Sequence, residues 1–93
     1  EGYQALSKLQ GLRTLSLQGC TVKKPMMNHI VKLTQLEYLD LRNTHISDST
    51  AAQLVDMKSL KDLKLDSNTV TNTSLYLLQG ALPNCTVWPE PKQ

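Results

Sequence analysis

Apolar residues recur along this chain at one fixed step. Leu12, Leu36 and Leu60 lie 24 residues apart, as do Leu15, Leu39 and Leu63, and Leu17, Leu41 and Leu65. Leu9, Leu33 and Met57 keep the step, and so do Val22, Ile46 and Val70. Two more columns run through four units: Leu6, Ile30, Leu54 and Leu78, then Tyr3, Met27, Ala51 and Leu75. Periodicity of this kind marks a stack of like units, each too small to bury its own apolar face.

Within a unit the pattern changes period. Leu15-Ser16-Leu17, Leu39-Asp40-Leu41 and Leu63-Lys64-Leu65 alternate apolar and polar, which predicts short half-buried strands. The column after each strand holds Cys20, Thr44 and Asn68, small residues that can bond loop backbone where the chain turns. Apolar positions then fall at 27, 30 and 31, at 51, 54 and 55, and at 75 and 78. That spacing predicts a short helix with one inward stripe. Ser47-Asp48 and Thr71-Asn72 fit helix N-terminal caps, and Pro25 fits a first turn. The expected fold class is therefore α/β, with short parallel strands on a concave face and short helices on a convex face.

These residues resemble the leucine-rich repeat. The pattern LxxLxLxx(N/C/T)x(V/I) is carried by Leu12, Leu15, Leu17, Cys20 and Val22, then by Leu36, Leu39, Leu41, Thr44 and Ile46, then by Leu60, Leu63, Leu65, Asn68 and Val70. The resemblance spans roughly residues 3–87. Units 33–55 and 57–78 look most like bacterial LxxLxxLxLxxTxVTDxxL repeats, and Ala81-Leu82-Pro83-Asn84-Cys85 resembles the end of such an array. Lys23-Lys24-Pro25 departs from the pattern, where Thr-Asp or Ser-Asp would stand. The resemblance implies a leucine-rich-repeat solenoid with its concave face as the usual contact surface.

The step divides the chain into a partial repeat or capping helix at 1–8, repeats at 9–32, 33–56 and 57–80, a C-terminal cap at 81–88 and a flexible tail at 89–93. Gly80 is expected to cap the last helix. Cys85-Thr86-Val87-Trp88 is expected to add a strand that Pro89 and Pro91 end. Residues 2–8 fall in helical columns with no strand before them, so more chain is expected upstream.

Composition narrows the function classes. Net charge is +2, too small to point to nucleic acid. No apolar run reaches membrane-spanning length. Two cysteines are not a disulfide framework. Cys20 and Cys85 lie about three strand spacings, or roughly 14 Å, apart, so no bond between them is expected, and Cys20 is expected to be buried. His29 and His45 occupy different columns without ligand partners, which gives surface histidines and no metal site. Asn72-Thr73-Ser74 and Asn84-Cys85-Thr86 match the N-glycosylation pattern at a frequency that chance supplies.

Side chains between the strand leucines point away from the core. They form three columns: Thr14, Tyr38 and Asp62; Ser16, Asp40 and Lys64; Gln18, Arg42 and Asp66. Asp40 is expected beside Lys64 and Arg42 beside Asp66, as cross-strand pairs. Tyr38 is the expected aromatic anchor, and Trp88 an expected lid on the C-terminal end of the core. No phosphate loop, nucleophile–base order or paired-carboxylate site appears, so neither an enzyme nor a bound cofactor or metal is expected. The expected function is non-catalytic protein–protein interaction. Two alternatives are a structural or regulatory domain packing within a larger protein, and the substrate-recognition part of an enzyme catalysing elsewhere. The partner is another protein or another domain of the same chain, with no nucleic acid and no membrane insertion.

Overall fold

A computed structural model describes residues 11–92; Tyr3, Leu6, Leu9 and the expected unit at 1–8 lie outside them. Strands and helices alternate. The order is β1 (Thr14–Ser16), α1 (Lys24–Ile30), β2 (Tyr38–Asp40), α2 (Asp48–Ala51) with a 3-10 extension (Ala52–Asp56), β3 (Asp62–Lys64), α3 (Asn72–Ala81) and β4 (Thr86–Trp88). The four strands make one parallel sheet in chain order.

The 24-residue step is the register of that sheet. Leu15 pairs with Leu39, Leu39 with Leu63 and Leu63 with Val87. Backbone bonds repeat with it. Leu17, Leu41 and Leu65 donate their N–H groups to the carbonyls of Asp40, Lys64 and Trp88 at 2.9, 2.7 and 2.8 Å. Each strand is only three residues long, so these rungs carry the pairing between units.

The helices cover one face of the sheet. Met27, Ile30, Ala51, Leu54, Leu75 and Leu78 from the helical segments join Leu39, Leu63 and Val87 from the strands in one buried cluster. Leu12, Leu15 and Leu17, in the outermost described unit, are half-buried against it. Helix starts follow the cap chemistry. Ser47 Oγ accepts from Thr50 N at 3.2 Å, and Thr71 Oγ1 accepts from Ser74 N at 3.4 Å. Lys23 makes no side-chain cap, and Pro25 stands in the first turn of α1 instead.

The C-terminal end departs from expectation in three places. Gly80 lies inside the last turn of α3, and Leu82 is the C-cap, its N–H bonding to the Leu78 carbonyl at 2.8 Å. Gln79 supplies the capping chemistry: its Nε2 donates to the carbonyls of Leu82 and Cys85 at 3.2 and 2.7 Å. The one-residue offset at Leu82 and Cys85 is absorbed before Val87, so β4 rejoins the common register. The tail, expected to be loose, is bound. Asn72 Nδ2 donates to the Lys92 carbonyl at 2.9 Å, and Asn72 Oδ1 accepts from Lys92 N at 2.6 Å. Pro89, Glu90 and Lys92 thereby line a pocket with Val70 and Leu75.

Candidate functional site

The sheet face turned away from the helices is built by register. Thr14, Tyr38, Asp62 and Thr86 form one row of neighbours; Ser16, Asp40, Lys64 and Trp88 form the next. Alternation within each strand forces both rows outward, because the leucine or valine between them is turned into the core. Gln18 and Arg42 extend the face beyond the strand ends, with Asp66 beneath them.

The charges on this face pair along strands rather than across them. Arg42 Nε and Nη2 donate to Asp40 Oδ1 and Oδ2 at 3.0 and 2.7 Å. The Arg42 backbone N–H also reaches Asp40 Oδ1, at 3.1 Å. Side chains two apart in a strand share a face, so the long guanidinium arm reaches its own strand's carboxylate in a two-pronged contact. These Arg42 hydrogen bonds hold the Asp40 carboxyl below its ordinary range, with Lys64 nearby adding to the effect. Lys64 Nζ lies 4.0 Å from Asp62. Lys61, outside the two rows, pairs with Glu37 of the preceding unit at 3.7 Å.

Asp66 corrects the expected Arg42–Asp66 pair. It is only 4% exposed. Its Oδ2 accepts the His45 backbone N–H at 3.0 Å, and its Oδ1 accepts that of Asn68 at 2.9 Å. One carboxylate thus holds the turns after β2 and β3 together. His45 and Asn43 both have left-handed backbone, φ 56 and 57, which Asn and His tolerate better than most residues. Asn68 does not fill the buried ladder role that Thr44 fills. Thr44 is fully buried and donates its hydroxyl to the Leu41 carbonyl at 2.6 Å.

Two aromatics stand out on the polar surface. Tyr38 is 44% exposed and Trp88 is 43% exposed. Trp88 is not the expected lid: it continues the Ser16, Asp40 and Lys64 row, and Val87 turns inward instead. The signal was the alternation of Thr86-Val87-Trp88 itself. Two hollows flank these residues. One, of about 210 Å³, is lined by Thr14, Ser16, Tyr38, Asp40, Asp62 and Lys64. The other, of similar size, is bordered by Gln18, Arg42, Asn43, Ser67 and Trp88.

Other candidate chemistry is dispersed. Cys20, expected to be buried, is exposed in the outermost described unit, and Cys85 is buried; both are free thiols. Burial, with a smaller effect from Asp62, pushes the Cys85 thiol up to about 11. Asn72, in one of the two glycosylation-like triplets, has its amide committed to Lys92. Among the described residues no group of three or more His, Cys, Asp or Glu is placed to hold a metal ion. Among them, too, no helix is long and apolar enough to cross a membrane.

No curated protein and no solved structure matches the chain. A family model described as Leucine Rich Repeat matches residues 35–57, the segment that runs from the approach to β2 through α2 to the end of its 3-10 extension. One unit of the repeating strand–helix arrangement is thus independently similar to a leucine-rich repeat.

Proposed function

We propose that this chain is a non-catalytic protein-binding module, a short leucine-rich-repeat solenoid that holds its partner on the concave, helix-free face of the sheet. The observation that carries this reading is the exposure of Tyr38 and Trp88 on a face whose charged groups are largely paired already. Aromatic and Arg side chains in ordered surroundings are the usual anchors of protein interfaces. Strand pairing fixes them before a partner arrives, which lowers the entropy cost of binding. The contact residues are Thr14, Ser16, Gln18, Tyr38, Asp40, Arg42, Asp62 and Lys64, joined by Trp88. Asp66 serves them from below by fixing the adjoining turns.

The test starts from a partner captured by cross-linking to a photoreactive residue placed at Ser16. Tyr38→Ala and Trp88→Ala should each weaken the purified complex by about 1 kcal/mol or more. Asp56→Ala, on the helical side, should leave affinity unchanged. The reverse pattern would refute the face assignment.

A second reading is favoured by Leu77, which is 64% exposed on α3 beside the exposed Tyr76. One unit and two units earlier, Gln53 and His29 stand in the same column and are half-buried. Leu77 would then pack against a neighbouring domain of a longer chain, and Leu77→Glu would disrupt that contact without affecting the concave face.

A further inference from the structure

We propose that the hollow between Tyr38 and Asp62 receives a Lys or Arg side chain, so that the partner presents a basic segment to this face. The inference rests on the concave-face reading and specifies its partner. The first support is the distribution of charge. The hollow is lined by one cation, Lys64, and two carboxylates, Asp40 and Asp62, while Asp66 is buried beneath the face. The lining of the hollow thus carries one more carboxylate than cation on a chain that is net positive, and charge of that sign favours a basic partner group there.

The second support is the unequal commitment of the carboxylates. Asp40 is closed by Arg42 through both of its oxygens. Asp66 has both oxygens on backbone N–H groups. Asp62 has one ion pair, with Lys64, at the 4.0 Å limit of contact and with both side chains well exposed. Such a pair is weak. A guanidinium or ammonium arriving beside Asp62 can displace Lys64 with little loss, and a guanidinium can gain a two-pronged contact.

The third support is the position of Tyr38. Tyr38 and Asp62 are direct neighbours in β2 and β3, about 4.8 Å apart across the sheet. A cation lying on the Tyr38 ring is therefore also within reach of Asp62, combining ring and carboxylate attraction at one point. Thr14 and Ser16 line the same hollow and add hydroxyl acceptors. An acidic partner side chain would meet Asp62 and Asp40 there, with Lys64 as the one cation lining the hollow.

The test uses acetyl-Gly-Ser-Arg-Ser-Gly-amide and its Gln and Glu counterparts, titrated into the ¹⁵N-labelled chain at low salt. The Arg peptide should shift the amides of residues 14–16, 38–40 and 62–64. It should bind on the order of fivefold more tightly than the Gln peptide, and the Glu peptide should not bind. Asp62→Asn should reduce the Arg peptide to the affinity of the Gln peptide, while Lys64→Gln should tighten it. Equal binding of Arg and Gln peptides in the hollow overturns the basic specificity and leaves the concave face as the contact surface. Arg-peptide shifts confined to the helices overturn both. Absence of any shift with the Arg peptide, or an unchanged affinity in Asp62→Asn, also overturns the proposal.

Discussion

Asp48 Oδ1 accepts the backbone N–H of Thr71 at 2.8 Å, across 23 residues of chain. Asp48 is the first residue of α2 and Thr71 the N-cap of α3. The contact ties the start of one helix to the start of the next. The Thr71 N–H, with a smaller contribution from Ser74, holds the Asp48 carboxyl below its ordinary value of 3.8. A lowered folded-state value means that the stabilisation is fully present above 3.8 and is lost as pH falls through the folded value. Asp48→Ala should therefore unfold at lower urea than the parent at pH 7, by about 0.5–1.5 kcal/mol, and the difference should narrow below pH 4. Asp48→Asn, which keeps an acceptor, should recover part of the loss at pH 7. A gap independent of pH would show that the charge does not contribute.

Leu41 and Asp40 are adjacent in sequence and opposite in environment. Leu41 is fully buried, so Leu41→Ala should cost about 2–5 kcal/mol through the cavity it opens. Asp40→Ala frees the Arg42 guanidinium into solvent and should cost less than about 1 kcal/mol. Urea denaturation distinguishes the two, and equal losses would mean that the faces of β2 are reversed.

The two thiols should be kinetically distinct. Cys20 is exposed. Cys85 is buried, its thiol is raised to about 11, and its Sγ is 3.7 Å from the Thr86 carbonyl. At pH 8 one equivalent of an aromatic disulfide reagent should react rapidly, and the second only after unfolding. Cys20→Ser should abolish the fast phase. A fast phase of two equivalents would contradict the burial of Cys85.

The Asn72 amide should govern the order of the tail. Asn72→Ala removes both bonds to Lys92. Hydrogen exchange at the Lys92 amide should accelerate, while exchange at the Leu41 amide, two units away, should not. Global stability should fall by about 0.5–1.5 kcal/mol. An unaltered Lys92 rate would mean that Pro89 and Pro91 alone hold the tail.

The buried columns were legible because burial acts on position. Leu39, Leu63, Ile30 and Leu54 had to face one core, and a period of 24 residues is the only way they can all do so. Thr86, Val87 and Trp88 carried the same alternation, although the role expected for Trp88 ignored it. Side-chain partners were less legible. Arg42 can reach forward to Asp66 or back to Asp40, and sequence spacing does not choose between them. The choice follows from the turn after β2, where the His45 N–H claims Asp66 first. Cys20 and Asn68 are both exposed while Thr44, in the same column, is buried, so membership of that column does not by itself set burial. The tail is expected to be loose once Pro89 and Pro91 end strand pairing, yet Asn72 offers one donor and one acceptor at the spacing of a backbone amide pair. Polar contacts of this kind depend on three-dimensional reach, which a linear period does not encode.

The bound tail has a consequence for assembly. A parallel array has two unlike ends, and contacts between unlike ends do not close into a pair; they propagate from copy to copy. Among the described residues β4 is the last strand of the sheet, and growth from that end would begin there. Pro89 and Pro91 withdraw backbone donors there, and the Lys92 backbone is already held by Asn72. Residues 89–92 therefore leave few free backbone donors for a further strand to pair with.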